Sequence, residues 1–196
     1  MKFLTPAIVS VILLATAAAR AQTQPAEAAK PYNPFAEGTW DLTLTGSYTE
    51  PIRFSQARTY STVFGIGKYI WNGTAFNLEL QGYYADQPSG EPDAIIGGFG
   101  VLGRTHLFRA DRFSFFIDGG GGITYASNSF PTFPVTGTHF NLTGKVGIGA
   151  TYQLHDHDFL IGGVRYFHLS NGQVHGRDQN PTYDSAQFWI GYMRTW

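Results

Sequence analysis

The chain has 196 residues, of which 43% are hydrophobic and 16% aromatic but only 14% charged, and its formal net charge is −1. A near-neutral chain without a basic tract is unsuited to binding nucleic acid, so nucleic acid is excluded as an expected partner. The sequence contains no cysteine, which excludes disulfides, thiol catalysis and thiolate metal sites.

Residues 1–21 have the pattern of a cleaved export signal. Lys2 precedes an apolar stretch that ends in Ala19-Arg20-Ala21, a small-x-small cleavage pattern. Polar residues interrupt this stretch, so its apolar length is marginal for a permanent membrane helix, which needs roughly 20 apolar residues. Residues 22–37 are rich in Ala, Pro and polar side chains without periodicity. They predict a flexible periplasmic N-terminal segment in front of a single domain at 38–196.

From residue 38 onward, apolar and polar residues alternate. This alternation predicts β-strands, because successive side chains of a strand point to opposite faces. The pattern is clearest at 40–48, 76–84 and 140–154. Each strand is long enough to cross a bilayer when tilted, which takes about 9–11 residues. The other five strands are predicted at 56–70, 94–108, 113–126, 159–171 and 184–196.

The connections between these strands alternate in length. Short periplasmic turns that alternate with longer external loops are typical of outer-membrane barrels. Trp40, Trp71 and Trp196 all fall at the short-turn end, as in an interfacial aromatic girdle. The sequence therefore predicts an all-β fold, an eight-stranded antiparallel transmembrane β-barrel in the outer membrane of a Gram-negative cell. The tight connections are at 71–73, 109–112 and 155–158, and the longer ones are at 49–55, 85–93, 127–137 and 172–183.

A spanning sheet must close on itself, because lipid offers no hydrogen bonds to a free strand edge. A barrel of eight strands has an interior just filled by side chains. A soluble barrel of the lipocalin type is the rival fold, and it would place its apolar faces inward. In the membrane barrel, six charged residues are predicted to point inward and pair as a network: Asp41, Glu79, Arg104, Asp118, Lys145 and Arg165.

Three polar residues on the last two strands form a candidate site. His168 and Ser170 share a strand face opposite to Arg165, so they are predicted to face lipid, where polar groups indicate a function. At about 3.3 Å per residue and a tilt near 40°, the strand from Asp158 climbs roughly 25 Å to His168, near the outer-leaflet interface. Asp184 opens the last strand at the same height and on the same face. A serine nucleophile needs an imidazole base, which a carboxylate orients.

The segment His168-x-Ser170-Asn171, the loop rich in Gly and Asn, and the acid that opens the last strand resemble the outer-membrane lipid A 3-O-deacylases. Members of that family are eight-stranded barrels with a lipid-facing Ser-His-Glu triad. The resemblance implies Ser170 as nucleophile, His168 as base, Asp184 as the acid and Asn171 as a residue that stabilises the oxyanion. Arg165 also fits the family pattern. The chain departs from it in having Asp for Glu and a longer intervening loop.

The resemblance further implies an esterase that hydrolyses the 3-O-linked hydroxyacyl chain of lipid A. Its partner is then lipid A, within the lipopolysaccharide of the outer membrane, and the chemistry requires no metal or other cofactor. The alternative is a non-enzymatic small barrel for adhesion, surface binding or envelope stability. The sequence leaves the oligomeric state open, a homodimer included.

Overall fold

A computed structural model of the chain describes residues 32–53, 55–88, 90–131, 137–174, 176, 178, 180 and 182–196. The predicted signal at 1–21 lies outside the described residues, as do residues 22–31 of the predicted periplasmic segment. No helix in the described ranges is long and apolar enough to cross a membrane.

The strands form one closed sheet. Each strand pairs antiparallel with the next, and the last pairs antiparallel with the first, which closes the barrel. The predicted eight-stranded antiparallel fold is thus confirmed. The strands are β1 (Trp40–Arg53), β2 (Arg58–Trp71), β3 (Thr74–Asp86), β4 (Ala94–Ala110), β5 (Phe113–Phe130), β6 (Thr138–His155), β7 (Asp158–Ser170) and β8 (Tyr183–Thr195).

Burial alternates along the strands, with apolar side chains outside and polar side chains inside. In β3, for example, Leu78 and Leu80 are exposed, whereas Asn77, Glu79 and Gln81 are buried. This orientation suits a barrel surrounded by lipid, because only every second residue then needs to be apolar. It is the reverse of the arrangement in a soluble barrel, so the lipocalin alternative is wrong.

The two ends of the barrel differ. Tight turns join β2 to β3, β4 to β5 and β6 to β7, while longer connections join the other consecutive strands, so the predicted alternation is confirmed. The predicted connection at 49–55 is wrong in its bounds, because β1 continues through it to Arg53. Trp40, Trp71 and Trp196 are exposed at the tight-turn end. Lys68 lies there too, with its ammonium nitrogen 5.4 Å from the centre of the Trp40 ring. A cation at this level reaches the lipid headgroups while its aliphatic stem covers apolar surface.

A charged layer crosses the barrel interior, and we use that name for Glu79, Arg104, Asp118, Lys145 and Arg165. The Arg165 guanidinium donates two hydrogen bonds to Asp118, at 2.9 and 2.6 Å. The Arg104 Nε atom lies 3.9 Å from the same carboxylate, and Lys145 pairs with Glu79. All five side chains are buried, so the predicted internal network is confirmed for these residues.

Asp41 also points inward, as predicted, but it stands apart from the network. Neither of its carboxylate oxygens has a hydrogen-bond partner among the described residues. Apolar side chains pack on both sides of the charged layer. The cluster at the tight-turn end includes Phe116, Phe159, Ile161 and Met193, and the cluster at the long-loop end includes Phe130, Phe167, Leu169 and Tyr183.

The end of the N-terminal segment packs into the tight-turn mouth of the barrel. Where the sequence predicts flexibility up to residue 37, Phe35 is buried and its ring stacks on His106 with 3.9 Å between ring centres. The Arg109 guanidinium donates a 3.0 Å hydrogen bond to the Asn33 side chain. Burial of this aromatic ring supplies the apolar contact that holds the segment in place.

Candidate active site

The candidate site lies where β7 ends and β8 begins, at the long-loop end of the barrel. Ser170 is the last residue of β7, and Asp184 is the second residue of β8. His168 and Asp184 are directly opposite in the ladder that pairs these strands, so their side chains lie on one face. Because side chains alternate along β7, Ser170 shares that face with His168.

The three side chains form one continuous line of hydrogen bonds. The Ser170 Oγ atom lies 3.0 Å from His168 Nε2, and His168 Nδ1 lies 2.8 Å from Asp184 Oδ1. An ionised carboxylate only accepts hydrogen bonds, so Nδ1 carries the proton of a neutral imidazole. Nε2 is then the acceptor for the serine hydroxyl. This arrangement can draw a proton from Ser170 and pass it on.

The site lies at the outer edge of the exposed apolar wall. Along β7, Leu160, Val164 and Tyr166 are exposed on the lipid-facing side, and His168 is the next residue of the same column. The His168 side chain is 37% exposed, whereas that of Asp184 is 7% exposed. The imidazole is therefore accessible from outside the barrel, and the carboxylate beneath it is shielded from water.

Ser170 is more enclosed than an open lipid-facing position, at 9% exposed. The His168 ring covers one side of its hydroxyl, at 3.0 Å, and the following loop begins with a turn at Gly172. This residue has φ +63°, and a Cβ atom there would lie 3.0 Å from Leu142 Cδ1. Leu142 is the β6 ladder partner of Ser170. The turn at Gly172 therefore packs closely against Leu142, the side chain next to Ser170 on β6.

Asn171 is fully buried and contacts the loop. Its side-chain oxygen accepts a 2.9 Å hydrogen bond from the Gln173 backbone N–H. Its own backbone N–H donates to the Asn180 side chain at 3.0 Å. These contacts make it an organiser of the loop next to Ser170, and the oxyanion role implied by the family resemblance stays a prediction.

Tyr166 is a further member of the site, and the sequence reasoning missed its contact. Its hydroxyl donates to Asp184 Oδ1, the same oxygen that holds the His168 imidazole. Tyr166 is diagonal to Asp184 across the β7–β8 ladder, at a distance that long side chains can span. The available signal was the repeat of three outward-facing polar or aromatic residues at 166, 168 and 170.

Arg165 lies behind the site, inside the barrel. Besides its bonds to Asp118, its guanidinium lies 4.0 Å from the centre of the Trp189 ring. These contacts make Arg165, which fits the family pattern, a residue that stabilises the barrel wall beneath the site. Across the described ranges, no group of three or more His, Asp or Glu side chains is arranged to hold a metal ion.

Comparison with known families gives one match over most of the chain. Residues 30–193 match the family described as Lipid A 3-O-deacylase (PagL). Comparison with the curated proteins gives no match.

The chain is similar in fold to three solved structures of bacterial surface or outer membrane proteins. Neisserial surface protein A (NspA) has a TM-score of 0.57 at 16% identity, covering 80% of this chain and 95% of that chain. The outer membrane protein OprG from Pseudomonas aeruginosa has a TM-score of 0.52 at 12% identity, covering 82% and 97%. The outer membrane protein AlkL has a TM-score of 0.50 at 12% identity, covering 90% and 97%. At these identities the likeness concerns the fold alone.

Proposed function

Because the chain belongs to the lipid A 3-O-deacylase (PagL) family, we propose that it is an outer-membrane esterase that releases the 3-O-linked hydroxyacyl chain of lipid A. The observation that carries the proposal is the hydrogen-bonded line from the Ser170 hydroxyl through His168 to Asp184. The same three side chains suit the hydrolysis of other carboxylic esters as well. Membership of the family is our reason for proposing lipid A as the substrate.

In the first half of the proposed reaction, Ser170 Oγ attacks the ester carbonyl carbon while its proton passes to His168 Nε2. The carbonyl electrons move onto oxygen and give a tetrahedral oxyanion. Collapse of this intermediate breaks the bond to the sugar oxygen, which takes the proton from His168. The products of this half are the deacylated sugar hydroxyl and an acyl-serine.

In the second half, water gives a proton to His168 and its oxygen attacks the acyl-serine. Ser170 leaves with the proton returned by His168, and a hydroxy fatty acid is released. Asp184 holds the imidazole in the required tautomer and stabilises the imidazolium formed in each half. Tyr166 supports this role because it donates to the same carboxylate oxygen.

Stabilisation of the oxyanion requires hydrogen-bond donors aimed at the developing charge. Asn171 is our candidate, since it follows Ser170 directly and its amide is oriented by the Gln173 backbone. The position of the site also suits the substrate. Lipid A lies in the outer leaflet, so it reaches an outward-facing serine by lateral diffusion without leaving the membrane.

The test is mass spectrometry of lipid A from Gram-negative cells that express the protein. We expect the loss of one hydroxyacyl group with the wild-type protein and an unmodified profile with Ser170→Ala. Ser185→Ala is the matched control, because Ser185 is a buried interior serine of β8 that bonds to the Phe167 carbonyl. That variant should deacylate normally.

Gel mobility without heating checks that each barrel is folded in the membrane. An unchanged lipid A profile in cells with inserted wild-type protein would refute the proposal and favour the non-enzymatic alternative. Full activity of Ser170→Ala would refute the assigned nucleophile.

A further inference from the structure

An irregularity near the end of β1 changes the direction in which its residues point. The pairing of β1 with β8 shifts between Pro51 and Arg53, so Ile52 is the extra residue of a β-bulge. Before the bulge, odd-numbered residues of β1 such as Thr49 point into the barrel and are buried. After it, Arg53 is exposed and lies directly opposite Asp184. The bulge therefore turns Arg53 onto the outer face that carries the proposed triad, because directly opposed residues share a face.

Arg53 lies above the outer aromatic residues of the barrel wall. The rings of Tyr48 and Tyr60 contact each other there, with 5.5 Å between their centres, and outward-facing tyrosines are typical of a membrane interface. Along β8, Phe188 is opposite Tyr48 and Asp184 is opposite Arg53. The strand climbs about 10 Å between these two positions, at about 3.3 Å per residue and a tilt near 40°. Arg53 therefore lies at the level of the lipid headgroups.

The positive charge of Arg53 is available to a ligand. In the part of the chain that the structure describes, its guanidinium has no ion pair, whereas that of Arg58 on β2 pairs with Glu50 at 3.4 Å. Arg53 interacts electrostatically with Asp184 and with the Tyr166 hydroxyl, so it lies beside the proposed triad. The Asp184 carboxylate repels an anionic substrate, and a cation next to it offsets that repulsion.

We propose that Arg53 determines specificity by binding a phosphate group of the lipid A headgroup while the ester lies at Ser170. The inference rests on the proposed function. Lipid A carries phosphate groups on its sugars, so it presents anions close to the ester. A guanidinium suits a phosphate group, because its planar donors can form two parallel hydrogen bonds. Arg53 on β1 is two strands away from Ser170 on β7. Adjacent strands are about 4.8 Å apart, so this separation is comparable with the size of a phosphorylated sugar.

The chain offers a matched control for this arginine. Arg58 is also an exposed arginine at the long-loop end of the outer wall, but it lies on β2 and is paired with Glu50. Arg53→Gln and Arg58→Gln thus remove the same charge from the same end of the barrel, and only the first change lies beside Asp184. Arg53→Lys keeps the charge but loses the planar pair of donors. Both arginines are exposed, so none of these changes opposes folding.

The experiment measures kcat and KM of the purified barrels in detergent. The substrates are lipid A, lipid A from which a phosphatase has removed the phosphate groups, and uncharged p-nitrophenyl laurate. For Arg53→Gln, we expect kcat/KM with lipid A to fall about tenfold, chiefly through a higher KM, because a hydrogen bond between charged groups is lost. With the two substrates that lack phosphate, the fall should be absent. Arg53→Lys should give an intermediate value with lipid A, and Arg58→Gln should keep the wild-type values.

An unchanged kcat/KM with lipid A in folded Arg53→Gln would overturn the phosphate site. An equal fall with all three substrates would also overturn it, since Arg53 would then act through Asp184 on the triad. The same loss in Arg58→Gln would overturn it as well, because the effect would then belong to the charge of the outer wall in general. A wild-type protein without esterase activity on any of the three substrates would instead overturn the proposed function, and the phosphate site with it.

Discussion

Replacement of Tyr166 by Phe removes one hydroxyl group from the site and keeps the aromatic ring. The structure predicts a slower reaction, because that hydroxyl holds the Asp184 oxygen on which the His168 imidazole depends. A hydrogen bond to a charged group contributes about 1.5–3 kcal/mol. Tyr166 is 45% exposed, which argues for the lower end of that range. About 1.4 kcal/mol corresponds to a tenfold change in rate, so we expect kcat to fall about tenfold.

The assay is a double-mutant cycle with Asp184→Ala, in which kcat and KM are measured for both single variants and the double variant. If Tyr166 acts through Asp184, the Phe substitution has no further effect once the carboxylate is gone, and the two changes are not additive. KM should stay near the wild-type value, because the Tyr166 hydroxyl acts on the Asp184 carboxylate, which orients His168 and has no proposed contact with the substrate.

Tyr84→Phe is the matched control for this cycle. Tyr84 is also 45% exposed on the outer wall, and its hydroxyl donates a 2.6 Å hydrogen bond to Asp93. Its loss should leave kcat unchanged. A tenfold loss from Tyr166→Phe in the Asp184→Ala background would show that the hydroxyl acts on something other than the carboxylate. An unchanged kcat in the single variant would refute the reasoning outright.

Three further substitutions test the parts of the barrel that support the site. Asp118→Asn should lower the free energy of unfolding by about 3–5 kcal/mol, because it leaves the buried Arg165 cation without its carboxylate; urea titration of the folded barrel measures this. Gly172→Ala should cost about 1–2 kcal/mol for its left-handed backbone and reduce deacylation of lipid A, because the new methyl group presses on Leu142. Phe35→Ala should lower stability by about 3–5 kcal/mol but leave deacylation unchanged, since the ring packs at the opposite end of the barrel.

Each of these expectations has a clear contrary result. A wild-type urea midpoint for Asp118→Asn would mean that Arg165 finds other partners. Wild-type deacylation by Gly172→Ala would show that the loop does not constrain the serine. Slower deacylation by a folded Phe35→Ala barrel would reveal coupling between the two ends.

The fold was predictable because the alternation of side chains reports a physical constraint that acts on every strand. A residue such as Leu78 must contact lipid, and its neighbour Glu79 must avoid it. The apolar and polar residues of each strand therefore show which side chains face outward. The pairing of β2 with β3, of β4 with β5 and of β6 with β7 then follows from the tight turns between them. The same parity argument predicted that His168, Ser170 and Asp184 share one face, because it needs no knowledge of rotamers.

Other parts of the site depend on conformations that parity does not determine. The bond from Tyr166 to Asp184 is a diagonal contact, so it requires the strand register and the direction of the tyrosine ring. The close packing of the loop against Leu142, beside Ser170, depends on the left-handed turn at Gly172, within a loop that has no periodic pattern. The packing of Phe35 arises from a segment whose composition resembles that of a flexible linker.

The charged layer has a consequence for the cell that carries this protein. Buried ion pairs lie across the described interior with apolar clusters packed above and below them, so we expect a barrel of this width to provide no conducting path for small solutes. We therefore expect a rise in its copy number to cause no leak across the envelope. Purified barrels in planar bilayers should accordingly show no ion current, in contrast to porins of larger diameter.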